Sequence, residues 1–180
     1  PFHDSSADLE VTLVIEPKMS FGTGHHFTTK LMIREMGKHT LEGKGILDMG
    51  CGTGVLGIYA SKSGAARVLG VDIDQWAYEN ALENIKRNGI TNMDVRLGDV
   101  GVLQEENFHM ILANITRNTL VRDMSAYTTH LYKEGLLIVS GILAEDAQYI
   151  LNEAYRCGLR HESTGEECNW ISLTFVKENS

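Results

Sequence analysis

Proline is nearly absent: Pro1 and Pro17 are the only two in 180 residues. No proline-rich linker, internal repeat or low-complexity tract divides the chain. Cysteine is scarce as well. Cys51, Cys157 and Cys168 are odd in number and form no CxxC pair, so reduced thiols in a cytoplasmic protein are expected rather than a disulfide framework. Apolar runs fall well short of the roughly 20 residues that cross a bilayer, and no signal peptide is visible; no membrane role is expected. Positive charge is short too. Sixteen Lys and Arg against 24 Asp and Glu give a net charge of −8 and a pI near 5.3. A free-standing nucleic-acid binder would show a basic surplus, so direct nucleic-acid binding is not expected. The acidity suits a basic protein substrate, and equally suits mere solubility. His25 and His26 are adjacent, but neighbouring side chains diverge on most backbones, so no metal site is expected. The chain opens on Pro1-Phe2-His3 instead of Met, which reads as a processed chain or a piece of a longer one.

What is present is the composition of a folded protein, 43% hydrophobic and 22% charged, at a length suited to one domain spanning 1–180. After a lead-in over 1–20, strand-like and helix-like stretches alternate. Strands are expected at 11–15, 45–49, 67–71, 93–97, 110–113, 136–139 and 170–176. Helices are expected at 28–38, 55–63 and 75–88, around Leu120, Met124 and Leu131, and around 147–154. Gly64 and Gly89 supply helix stops, and Asp74 supplies a cap before Gln75. The alternation predicts an α/β fold: a doubly wound, mostly parallel seven-stranded sheet, Rossmann-like, with the last strand antiparallel. Ligands of such sheets bind beyond the strands' carboxyl ends. The loops after Asp48, Val71, Leu97 and Ala113 are therefore the ones to inspect.

The first reads Asp48-Met49-Gly50-Cys51-Gly52-Thr53-Gly54. Glycine at alternate positions allows a sharp turn and close approach of bare backbone to a ligand, while the following helix aims free N–H groups into the same space. Asp72, 22 residues beyond Gly50, ends the next strand, where a carboxylate accepts hydrogen bonds from ribose hydroxyls. Gly98-Asp99 follows the third strand. Its carboxylate suits an adenine amino group, and equally a turn. The three occur after successive strands in the order a nucleoside needs. Gly52, Gly54 and Gly57 also satisfy GxGxxG, which keeps a nicotinamide cofactor and oxidoreductase chemistry open. Against it, the loop starts earlier, at Gly50, and Asp72 lies only 15 residues beyond Gly57.

Several segments together resemble the PrmA family of bacterial methyltransferases. Phe21-Gly22-Thr23-Gly24-His25-His26-Phe27-Thr28-Thr29 is similar to its FGTGxHxTT segment, Val71-Asp72-Ile73-Asp74 to its VDID, Ala113-Asn114-Ile115 to its ANI and Ser140-Gly141-Ile142-Leu143 to its SGIL. The glycine loop is shared by all class I methyltransferases. The resemblance implies S-adenosylmethionine as methyl donor, with S-adenosylhomocysteine as product. It implies cofactor contacts from Thr29, Gly50, Asp72 and Asn114; Gly52, Ile73 and Asp99 are further cofactor-binding candidates, and Phe21 and Gly22 can wall the pocket. It implies a ribosomal protein of the large subunit as substrate, methylated on lysine or terminal amines, with another amine substrate as the alternative. The resemblance also implies an N-terminal docking domain, which is expected to lie outside these 180 residues. Asn114 is the catalytic candidate: it ends a buried strand and would orient the incoming amine, although a helix cap explains an asparagine there equally well. His25 or His26 as a proton relay, and Cys51 as a nucleophile, rank below plain structural roles. Two positions depart from the family pattern: Phe27 stands where proline is frequent, and His25 where threonine is common.

Overall fold

The computed structural model describes residues 11–16 and 26–178. Seven strands form one sheet: β1 (Gly45–Met49), β2 (Arg67–Asp72), β3 (Met93–Leu97), β4 (Phe108–Asn114), β5 (Leu131–Leu143), β6 (Leu159–Glu167) and β7 (Trp170–Lys177). Their order is β3-β2-β1-β4-β5-β7-β6, and β7 alone runs opposite to the other six. The winding reverses between β1 and β4, which pair in parallel (Met49 against Ala113) and open a crevice at their carboxyl ends.

Five helices cover the two faces: α1 (Phe27–Met36), α2 (Val55–Lys62), α3 (Gln75–Arg87), α4 (Arg117–Thr129) and α5 (Ala147–Arg156). Residues of α1, α2 and α3 (Met32, Met36, Ile58, Ile85) close one apolar cluster over Ile46, Val68 and Leu112. On the other face α4 and α5 contribute Leu120, Met124, Ile150 and Ala154 to a cluster over Leu47, Ile111 and Val139. The central strands are buried on both faces, which is why they read as continuous apolar runs. Each fully buried Leu, Ile or Phe stabilises the fold by about 1.5–3 kcal/mol relative to exposure.

The expected punctuation is present. Asp74 caps α3 by accepting from Ala77 N–H at 2.9 Å. Gly64 and Gly89 follow α2 and α3 with φ of 94° and 64°, the left-handed backbone that glycine adopts without strain.

Three expectations need correction. Residues 11–16 form no strand, although Val11, Leu13 and Ile15 alternate and the latter two press on the helix-covered cluster. Side chains of α3 take the place of a partner strand. Asn88 exchanges two bonds with Val14 (3.0 and 2.7 Å), Asn84 Oδ1 accepts from Glu16 N–H at 3.0 Å, and Asn80 donates to Glu16 O at 2.9 Å. The seventh strand is instead β6. Its sequence, Leu-Arg-His-Glu-Ser-Thr-Gly-Glu-Glu, carries little apolar signal because it is an edge strand with most side chains in solvent. Finally, Leu131 lies in β5, after α4 has ended at Thr129.

Candidate functional site

The crevice between the two halves of the sheet is a cleft of about 430 Å³. Gly50, Asp72, Ile73, Asp99 and Asn114 all line it. They are the ends of β1, β2, β3 and β4, so four separate strand termini deliver the expected residues to one place.

The glycine loop is shaped by three left-handed residues, Gly50 (φ 69°), Gly52 (φ 54°) and Gly54 (φ 79°). A side chain at Gly50 would be strained, and its Cβ would stand 2.5 Å from Cγ2 of Ile115. Gly57 has another task. In α2 it allows the helix to approach Met93 and Val68, where a Cβ would collide with the methionine side chain. The loop's amides, however, are not bare as expected. Gly50 and Cys51 donate to Val71 O (2.8 and 3.1 Å), Gly52 donates to Asp72 Oδ2 (2.8 Å), and Gly54 donates to Cys51 O (2.8 Å). The loop is thus held rigid by its own sheet, and the glycines supply shape and closeness rather than free donors.

Asp72 is fixed at both oxygens. Oδ2 takes Gly52 N–H, and Oδ1 takes Asp74 N–H at 3.0 Å. Each oxygen keeps acceptor capacity beyond these single bonds. Asp99 serves both readings of its sequence position. Oδ1 caps the short 3₁₀ turn Val100–Leu103 by accepting from Gly101 N–H at 2.9 Å, and the residue lines the cleft. Ile73, 77% exposed, offers an apolar side chain at the rim.

Asp48 lies under the loop, wholly buried, with Oδ2 accepting Gly57 N–H at 3.0 Å. Burial, opposed by that bond and reinforced by the nearby Asp72 carboxylate, pushes its pKa up to about 7. Burial, with Asp48 and Asp72 close by, also pushes the Cys51 thiol well up, which keeps it protonated and removes it as a nucleophile.

Around Asn114 the sheet leaves room. Asn114 is level with Ser140 of β5. Ser140 donates to Ile171 O at 2.7 Å where the β5–β7 register slips, and Gly141 (φ 82°) presses on the Ile115 backbone, where a Cβ would lie 2.6 Å from Ile115 O. The SGIL segment therefore shapes the cleft wall rather than contributing chemistry. His26, Thr28 and Trp170 complete this end. His26 is the N-cap of α1; Nδ1 faces Thr28 Oγ1 at 2.8 Å, and its ring meets Trp170 edge-on at 5.1 Å.

Thr29 is buried beside the cleft, while its neighbour Thr28 lines it. Gly52 acts through Asp72 rather than on the lining. Phe21, Gly22 and His25 lie outside the described residues. Sequence reading did not find Trp170, Arg122 or Tyr127. Trp170 follows a polar turn and the other two sit on a helix, with no motif to mark them.

The strand order and the arrangement of cleft residues define a chain of the class I methyltransferase fold. A crystal structure described as ribosomal protein L11 methylase from Lactobacillus delbrueckii subsp. bulgaricus superposes with a TM-score of 0.82 at 27% identity, over 87% of this chain and 81% of that one. The chain belongs to the family described as Ribosomal protein L11 methyltransferase (PrmA), whose model matches residues 2–178. Relatives bearing that name include one from Porphyromonas gingivalis, 43% identical over 99% of this chain and 62% of its own length, and one from Bacteroides fragilis, 40% identical over 97% and 63%. The chain thus spans about three fifths of the length of these relatives.

Proposed function

We propose that this chain is the catalytic domain of an S-adenosylmethionine-dependent protein N-methyltransferase acting on lysine or terminal amines of a large-subunit ribosomal protein, L11 in the naming of its relatives. The observation that carries the reading is the Asp72 carboxylate, pinned by Gly52 at the switch point of the sheet. It stands within the same cleft as Asp99 on one side and Asn114 on the other.

The residues present fit the donor. Asp72 offers two acceptors to ribose hydroxyls, Asp99 offers an acceptor to the adenine amino group, and Ile73 covers a flat base. Gly50, unable to carry a side chain, leaves space for the methionine moiety. Thr29, buried next to Thr28 in the first turn of α1, remains a candidate contact for the donor at this end of the cleft. The bound donor supplies an electrophilic methyl group on sulfur. The protein's own contribution is alignment. Asn114, at the end of β4, presents a carbonyl acceptor and an amide donor with which to orient a neutral amine. An incoming lysine has an ordinary pKa of about 10.4, and burial beside a cationic sulfonium lowers it. No base of the protein is required for that step, and Asn114 has no useful basicity.

The test is transfer of radiolabelled methyl groups to purified ribosomal proteins, with calorimetric titration of S-adenosylhomocysteine and NADH alongside. Label in one large-subunit protein together with binding of S-adenosylhomocysteine is the expected result. Tight NADH binding with no binding of S-adenosylhomocysteine overturns the reading.

A further inference from the structure

Four buried side-chain polar atoms have no hydrogen-bond partner among the described residues: His39 Nε2, Ser61 Oγ, Tyr127 Oη and Ser172 Oγ. Of these four residues only Tyr127 lines the cleft. It is completely buried on α4, in the stripe that also carries Leu120 and Met124. Those two are apolar, as the stripe requires, and a phenylalanine would complete it. The hydroxyl therefore has no evident structural use. Nine in ten buried polar groups find a partner, and leaving one without is destabilising.

Location narrows what the partner is. The guanidinium of Arg122, which also lines the cleft, is within electrostatic reach of both Asp99 and Tyr127. The phenol lines the same cleft as Asp99, and its helix α4 packs against the 3₁₀ turn Val100–Leu103 that Asp99 caps. Burial, followed by the nearby Asp123 carboxylate, pushes its pKa up, so the group is a neutral O–H donor at any working pH.

We propose that Tyr127 is a cofactor-binding residue whose hydroxyl donates a hydrogen bond to a ring nitrogen of the donor's adenine. This rests on the methyl-donor reading above. The chemistry is complementary. Adenine presents a donor in its amino group and acceptors in its ring nitrogens. Asp99 is an acceptor, and Tyr127 offers the donor. The two side chains together read both kinds of group on one base, which either alone would leave half recognised.

Tyr127→Phe removes one oxygen that has no partner among the described residues and keeps the ring in the apolar stripe, so the variant folds. Calorimetry with S-adenosylhomocysteine on wild type and Tyr127→Phe, and melting of both without ligand, test the idea. The expected result is about tenfold weaker binding by the variant, as for loss of one buried hydrogen bond, with a melting temperature equal to or above that of wild type. Deaza analogues, each lacking one ring nitrogen, identify the acceptor. One of them binds wild type about tenfold more weakly and costs the variant nothing further. Equal affinity of the two proteins for S-adenosylhomocysteine overturns the inference while leaving the donor reading intact. So does a variant that loses as much as wild type with every deaza analogue. Absence of binding by wild type removes the donor reading and this inference with it.

Discussion

Asn84, wholly buried on α3, donates from Nδ2 to the carbonyl of Thr53 in the glycine loop at 3.0 Å. The same side chain accepts from Glu16 N–H through Oδ1. One amide therefore ties the cofactor loop to the segment 11–16, whose Glu16 lies 68 residues before Asn84. Replacement by alanine removes one bond from the Thr53 carbonyl and one from the Glu16 amide. Asn84→Ala is expected to lower stability by about 2–3 kcal/mol in urea unfolding and to weaken S-adenosylhomocysteine binding. Asn88→Ala, which releases only Val14 from the segment, is expected to cost about 1 kcal/mol or less with no change in affinity. Equal affinities for wild type and Asn84→Ala would show that the loop keeps its shape without this tie.

The buried Asp48 makes stability depend on pH in an unusual direction. In the unfolded chain its carboxyl titrates near 3.8, and in the fold at about 7. Between these values the folded protein holds a proton that the unfolded chain has released. Its contribution is therefore fully stabilising below about pH 4 and is lost as pH rises through 7, a change on the order of 4 kcal/mol. Asp48→Asn retains a carbonyl acceptor for Gly57 N–H and no longer titrates. The difference in unfolding free energy between variant and wild type should widen in favour of the variant from pH 4 to 7 and then stay level. A difference that is flat across that interval contradicts the assignment.

Phe27 occupies the first position of α1, directly after its cap. Proline is well suited to that position, because the N–H there has no partner within the helix. The residue before a proline must be extended, and His26 already is, with φ −74° and ψ 143°. Phe27→Pro is expected to raise stability by about 0.4–1 kcal/mol through loss of unfolded-state freedom. Thermal melting that drops instead would mean that the Phe27 ring, which lies under Lys30 Nζ at 5.7 Å, contributes more than the backbone gains.

Asp72 and Asn114 should separate by kinetics. Asp72→Ala removes the sugar acceptors and also releases the Gly52 and Asp74 amides, so calorimetry should register no donor binding. Asn114→Ala leaves those anchors in place and should lower kcat more than donor affinity. The opposite pattern for Asn114 would place it in cofactor binding alone.

The sequence made the sheet legible wherever burial on both faces left a continuous apolar run, as in Ile46-Leu47 or Ile111-Leu112-Ala113. It also marked the turns, because Gly64, Gly89 and Asp74 do jobs few other residues do. It misled where an environment imitates another. Val11, Leu13 and Ile15 alternate as a strand does, yet their backbone is met by asparagine side chains, a partnership no periodicity encodes. β6 hid for the converse reason, since an edge strand in solvent needs no apolar signature. In the site, residues at strand ends were readable because the fold sends every such loop to one crevice. The family motif pointed to Thr29, whereas Thr28 is the one that lines the cleft, a difference set by the rotation of α1 that no motif spells. Tyr127 is further still from any motif: a helical stripe looks the same whether its aromatic member packs or binds.

Phosphate groups settle at strand-to-helix glycine turns because several free amides converge on them. Here the N–H groups of Gly50, Cys51, Gly52 and Gly54 already face oxygens of their own chain. The carboxyl groups of Asp72 and Asp99 border the cleft, with Asp48 beneath. A pyrophosphate would find these four amides already taken and the two carboxyl groups close by, with the Arg122 guanidinium as a cation in the lining. Letters that spell a dinucleotide fingerprint thus fold into a loop whose donors are largely spent on its own chain, so the same spelling need not make a phosphate cradle.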